Sequence, residues 1–255
     1  MGYVRFRDGN GSVRSGEWNG EGDSVITASP TNDGKRGFRS ESFAPDEIKL
    51  LAPCEPSKIV CVGRNYAEHA AERGKDVPDR PLLFLKGPNT VAAHGERIEL
   101  LPGKERIEYE AELGVVIGER CRNVAAGDAK SVIAGYTCVN DVSNRDDQRT
   151  EKNWVRGKAF DAAAPLGPVV ARPDEMPDDP TVRCRVNGEL RQDSSNASFI
   201  FPIPDLIEEI TTYMTLEPGD VVSTGTPEGV GKIADGDIVE IDIDGVGTLR
   251  NEFYQ

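Results

Sequence analysis

The sequence predicts a strand-rich α+β protein, and three observations carry that reading. Short runs dominated by Val, Ile and Leu recur along the chain, Gly and Pro punctuate them, and only two stretches show the periodicity of an amphipathic helix. At 255 residues the chain can bury a sizeable core in one or two domains.

The elements follow in order. Residues 3–7 and 12–18 alternate around Asp8-Gly9-Asn10-Gly11, which predicts a hairpin, and the polar stretch 29–41 reads as a loop. Pro45, Pro53 and Pro56 mark a linker, so a small N-terminal domain is expected over 1–52 and a larger one over 53–255. In the larger part, strands are expected at 58–62, 82–85, 111–117, 132–139, 181–186, 220–223, 237–243 and 247–253. One helix is expected at 65–73, with Asn65 as N-cap, Glu68 as its capping-box partner and Gly74 as stop. The other spans 204–214, where Leu206, Ile207, Ile210 and Met214 form one apolar stripe.

Composition narrows the function. Lys and Arg total 30 against 44 Asp and Glu, a net charge of −14, so phosphate would repel the chain and no nucleic-acid or anionic-membrane partner is expected. The acidity, with Arg outnumbering Lys, also fits a protein kept soluble in concentrated salt. No run approaches the ~20 apolar residues that cross a bilayer. The opening MGYVRFRDGNG lacks a signal peptide's apolar core, so a cytoplasmic location is expected. Cys54, Cys61, Cys121, Cys138 and Cys184 are odd in number and widely spaced, and read as reduced core residues.

Four stretches could carry chemistry. Strand periodicity places Glu108, Glu110 and Glu112 on one face, an arrangement that needs either free solvent or a cation to offset the repulsion. Asn140-Asp141-Val142-Ser143-Asn144-Arg145-Asp146-Asp147-Gln148 closes an apolar run, as a polar loop or as a second source of hard oxygen ligands. His69 and Glu72 share a helix face at i and i+3, either as an exposed pair or as a carboxylate-oriented base. In Ser223-Thr224-Gly225-Thr226-Pro227-Glu228-Gly229-Val230-Gly231-Lys232 the phosphate-loop spacing fails. That leaves a tight turn, or amides and a Thr226 hydroxyl that hold a carboxylate. The sequence has no GxSxG, HExxH or strand-linked GxGxxG.

Taken together and in order, these segments resemble the fumarylacetoacetate hydrolase family. The match runs through Val62-Gly63-Arg64-Asn65-Tyr66-Ala67-Glu68-His69, Leu83-Phe84-Leu85-Lys86, Tyr109-Glu110-Ala111-Glu112-Leu113 and Asn140-Asp141 to Asp147-Gln148. It continues through Arg156-Gly157-Lys158-Ala159-Phe160-Asp161, Val186-Asn187-Gly188-Glu189 and Thr224-Gly225-Thr226-Pro227-Glu228-Gly229-Val230-Gly231. Gly87, where many relatives have Pro, and the small Ala162-Ala163-Ala164-Pro165 segment depart from the family pattern.

The resemblance implies a mixed β-sandwich roll with short helices, a small N-terminal accessory domain and a homodimer. It implies Glu110, Glu112 and Asp141 as ligands of Mg²⁺ or Mn²⁺, with Glu108 a bystander. It further implies His69 and Glu72 as the water-activating pair, Lys158 as the group that stabilises an enolate, and Arg64, Tyr66, Arg145, Gln148 and Thr226 as substrate contacts. The expected activity is hydrolysis or decarboxylation of a small 2-oxo acid of acylpyruvate or oxaloacetate type. Isomerisation of a 2-hydroxy-dienoate or 2-oxo-enoate diacid is the alternative, and a non-catalytic metal-binding oligomer stands outside the enzyme class.

Overall fold

The computed structural model describes residues 2–18, 25–29, 39–72, 74 and 76–255. Its first part forms β1 (Gly2–Arg7), β2 (Val13–Trp18), β3 (Val25–Ser29), β4 (Arg39–Phe43) and β5 (Lys49–Leu51). Then come β6 (Ile59–Gly63), α1 (Ala67–Glu72), β7 (Leu82–Lys86), β8 (Val91–Ala92), β9 (Arg97–Glu99), β10 (Ile107–Tyr109) and β11 (Ala111–Ile117). The middle adds β12 (Ile133–Asn140), β13 (Ser143–Asn144), the one-turn helices α2 (Arg145–Gln148) and α3 (Val155–Lys158), and β14 (Ala164–Ala171). The chain continues with β15 (Thr181–Val186), β16 (Glu189–Ser195), α4 (Ile203–Tyr213), β17 (Val221–Ser223), β18 (Gly231–Lys232), β19 (Ile238–Ile243) and β20 (Gly247–Tyr254).

The fold is strand-rich, as the runs of β-branched residues predict. Its largest sheet has the order β4-β3-β2-β1-β14-β12-β11-β17-β6-β7, with β5 beside β1 and β8 beside β14. A second sheet runs β16-β15-β19-β20-β9, and a short one runs β13-β10-β18. Strands β15 and β19 bury alternate residues, so each offers one apolar face. Val182, Cys184, Val239 and Ile241 from that face join Leu113, Cys138 and Ala171 of the large sheet in one core. Helix α4 lays Leu206, Ile207 and Ile210 against Val60, Val62, Val115 and Val222. Each such side chain contributes roughly 1.5–3 kcal/mol by leaving water. Together these layers bury β11 along its whole length.

Several expectations need correction. Strand β14 sits between β1 and β12 although Pro165 and Pro168 argue against a central strand. The ladder tolerates Pro168 because its register shifts there: Cys138 faces Gly167 and Tyr136 faces Ala171, so residues 168–170 form a bulge, while Pro165 lies just past the last β12 pair, Val139 with Leu166, and beside β8. Strand β16 is too polar to stand out in the sequence. Of the stretch 29–41 read as a loop, Ser29 ends β3 and residues 39–41 belong to β4, and 30–38 lie outside the described residues. Helix α1 begins at Ala67, two residues past Asn65, so Asn65 is not its N-cap. Instead the buried Asn65 amide donates to Thr224 O (2.8 Å) and Phe201 O (3.1 Å), and its Oδ1 accepts from Phe201 N (2.8 Å). Three separate segments are tied together there. Arg73, the last residue of the expected helix, lies outside the described residues.

The boundary expected near residue 53 falls between β5 and β6, and the large sheet runs across it through the pairs Gly2–Ala171 and Tyr3–Val170. Val4 and Phe6 are fully buried in the same core as Leu113. Among the described residues no helix is long and apolar enough to cross a membrane.

Candidate active site

Three carboxylates meet where two central strands end. Ala111 of β11 pairs with Asn140 of β12, which sets Glu110 beside Asp141, and Asp141 N donates to Glu110 O at 2.9 Å. Asn140 Oδ1 accepts from Glu110 N at 3.0 Å and locks the same junction. Glu112 lies two residues along the same strand, so its side chain projects the same way as that of Glu110. All three are buried, and one oxygen from each lies within 4.8 Å of the others.

The short helices bring the cations. Gly157 of α3 packs on α2 so closely that a Cβ would lie 2.9 Å from Gln148 Cα. That approach carries Lys158 inward, where Nζ donates to Glu110 Oε2 at 2.6 Å and Asp141 Oδ2 at 2.7 Å. Burial disfavours the Lys158 charge, but Asp141 and Glu110 outweigh it and raise its pKa. Lys86, at the end of β7, pairs with Asp141 Oδ1 at 2.6 Å and donates to Val142 O and Ala163 O. Arg145 donates from Nε to Glu108 Oε2 (2.7 Å), from Nη1 to Gln148 Oε1 (2.7 Å) and from Nη2 to Glu110 Oε1. Burial pushes the Glu110 carboxyl up, yet the charges of Arg145 and Lys158 hold it well below the usual range.

Glu112 has no cation within ion-pairing distance among the described residues. Its Oε2 accepts from Ser223 Oγ and from Gly225 N at 3.0 Å. Gly225 reaches it at φ +95°, where a Cβ would lie 2.8 Å from Asn65 Cβ. Burial, with Asp141 and Glu110 nearby, pushes the Glu112 carboxyl up to about 8. A hard divalent cation suits such a cluster: it accepts oxygen ligands, offsets their repulsion and keeps waters on its open side. The residues present fit a divalent ion.

The cluster opens into a cavity of about 670 Å³, also lined by His69, Glu72, Arg64, Gln148, Arg149 and Thr226. Leu82, Phe84 and Trp154 give it an apolar wall. Phe84 packs edge-on to Trp154 at 5.5 Å between centroids, and Lys158 Nζ sits 5.0 Å from the Phe84 centroid. His69 is nearly buried, with Nδ1 3.4 Å from Glu72 Oε2, while Glu72 Oε1 accepts from Gly229 N at 3.2 Å. Arg64 and Trp154 are both held at positive φ on this wall, a conformation that costs non-glycine residues on the order of 1–3 kcal/mol.

The cavity therefore gathers every residue the resemblance implies except one. Tyr66 is fully buried and does not line it; its hydroxyl bonds to Asn196 Oδ1 at 3.0 Å and its ring packs edge-on to Phe199. Glu108 stands outside the trio of carboxylates, as the resemblance implies, but not on a solvated face. It is 1% exposed and grips both Arg106 and Arg145, so it aims the guanidinium that reaches Glu110. Arg145 lines the cavity as implied, but three of its five N–H groups are committed to protein acceptors. Sequence reasoning gave no role to Lys86, Ser223 or Gln192. Only Lys86 carries a signal, a charge closing an otherwise apolar strand.

A family model for the fumarylacetoacetate (FAA) hydrolase C-terminal domain matches residues 58–254. The chain belongs to that family of enzymes. Among its relatives, oxaloacetate tautomerase YisK of Bacillus subtilis is 42% identical over 224 residues, covering 82% of this chain and 74% of the relative. The mitochondrial oxaloacetate tautomerase FAHD2B of Bos taurus is 39% identical over 218 residues, covering 81% and 69%. The crystal structure of 5-carboxymethyl-2-hydroxymuconate delta-isomerase from Mycobacterium smegmatis superposes with a TM-score of 0.89 at 39% identity. It spans all of this chain and 98% of that one.

Proposed function

We propose that the protein catalyses proton relocation in a small 2-oxo dicarboxylate, of which oxaloacetate keto–enol exchange is the simplest case. The observation that carries the reading is the Glu110, Glu112 and Asp141 cluster, with Glu112 buried and lacking a basic partner among the described residues, facing the same cavity as Lys158 and the His69–Glu72 pair. When bound, Mg²⁺ or Mn²⁺ supplies positive charge that stabilises an enolate oxygen.

The chain's own groups supply the rest. His69 takes the proton from the carbon beside the keto group, and Glu72 orients the ring and stabilises its charged form. Lys158 places an ammonium beside the developing oxyanion. Arg64 and Arg149 line the cavity without an acidic partner among the described residues, which suits them to the distal carboxylate. Leu82, Phe84 and Trp154 limit the water around the reacting carbon. The names of the relatives favour this reading over hydrolysis or decarboxylation, because a tautomerase and an isomerase move protons without breaking the carbon chain.

The test is oxaloacetate with Mg²⁺ or Mn²⁺, following the enol absorbance and pyruvate formation separately. Faster keto–enol exchange without pyruvate is expected. Pyruvate appearing at the same rate would make the protein a decarboxylase, and no change in either would end the proposal. A homodimer, implied by the resemblance, is carried in the same proposal and is tested by sedimentation of the full chain.

A further inference from the structure

Gln192 of β16 reaches from the second sheet to the strand and loop behind the cavity and is almost wholly buried. Its Oε1 accepts from Ala111 N at 3.0 Å, on the residue between Glu110 and Glu112. This bond fixes which way the amide points, because a backbone N–H can only face its oxygen. The nitrogen must then face the other way, where Nε2 donates to Pro227 O at 2.8 Å and to Thr226 Oγ1 at 2.9 Å. A hydroxyl has one proton to give and two lone pairs. Thr226 Oγ1 therefore spends a lone pair on Gln192, and its proton meets no acceptor among the described residues. Thr226 is 3% exposed, and the surface it retains lines the cavity.

We infer that Gln192 is a positioning residue that sets the polarity of Thr226, so that the threonine's one proton is left for an anionic oxygen of the substrate. The inference rests on the oxyanion-forming reaction proposed above and adds a selectivity rule to it. A carboxylate or enolate oxygen is favoured at this corner, because a group that can only donate, such as an amide N–H, would leave the Thr226 proton without an acceptor. The chain of bonds also links the spacing of the carboxylate strand to the loop that holds the substrate, because one amide touches both.

The test is a double-mutant cycle on the Mg²⁺-loaded full chain, read by calorimetric binding of oxalate, which offers two carboxylate groups in place of the enolate and its carboxylate. Thr226→Val should weaken oxalate binding about 10-fold to 100-fold, the size of a lost hydrogen bond to a charged group, while Thr226→Ser should not. Gln192→Glu keeps the acceptor for Ala111 N but offers Thr226 a second acceptor, which turns the hydroxyl proton away from the cavity. It should weaken oxalate binding by a similar factor in the Thr226 protein and by little in the Thr226→Val protein. Should Gln192→Glu fail to fold by thermal melting, Gln192→Met is read in the same cycle, with the same dependence on Thr226 expected. An equal loss in both backgrounds would make Gln192 a packing brace and overturn the inference, as would wild-type protein that binds no oxalate. The expected interaction supports the inference whether or not oxaloacetate is turned over, so its outcome is separate from that of the proposed reaction.

Discussion

At the scale of single residues, the site is a balance of buried charge in which Glu112 is the odd member. Its carboxyl titrates near 8 in the fold, against 4.5 for an ordinary glutamate. The folded state without a cation therefore prefers the protonated acid. Stability from this group is complete below about 4.5 and declines as pH rises through about 8. Mg²⁺ binding must displace that proton, so affinity should rise with pH up to about 8, and calorimetry in buffers of different ionisation enthalpy should detect about one proton released at pH 6. Affinity that is flat between pH 6 and 8.5 would remove Glu112 from the ligand set. His69→Ala should lower kcat by ~10² to 10⁴-fold while calorimetric Mg²⁺ binding survives. Unchanged kcat would place the base elsewhere. The carboxylates could be read from the sequence because strand periodicity and motif order both point to them. Ser223 and Gln192 could not, since each comes from a different strand and is brought in by sheet packing that no local pattern encodes, and for Lys86 the charge at a strand end marks the residue but not its partner.

At the scale of elements, two one-turn helices do work that their length does not advertise. Helices α2 and α3 span four residues each, too short for a periodic signal, yet they deliver Arg145 and Lys158 to the carboxylates. Their separation is set by Gly157, whose missing Cβ lets α3 lie on Gln148. Gly157→Ala should push the helices apart, destabilise the fold by about 1–3 kcal/mol and lower kcat by withdrawing Lys158. Chemical denaturation and steady-state kinetics on one preparation check both effects. A variant with wild-type stability and kcat would mean that the close approach is incidental. The β-branched strands and α4 were legible because burial on one face writes a period into the sequence. Strand β14 was not, because Pro165 and Pro168 mask it, and only its neighbours reveal that one lies past the β12 ladder and the other in a bulge.

At the scale of the whole molecule, the N-terminal strands extend the catalytic sheet. A chain beginning at residue 53 loses Val4 and Phe6 from the core and bares the edge of β14. It should melt lower by on the order of 10 °C, from ~1.5–3 kcal/mol for each buried side chain. Calorimetry comparing the two lengths decides this, and an unchanged melting temperature would make residues 1–52 an independent appendage. The strands that carry the carboxylates have neighbours on both sides: β11 lies between β12 and β17, and β12 between β11 and β14. Their amides can exchange with solvent deuterium only through large, sub-global or complete opening, whereas α1, six residues long and partly exposed, can fray alone. The protein should therefore lose its acid–base pair many times, and regain it, for each time that it releases the carboxylate cage.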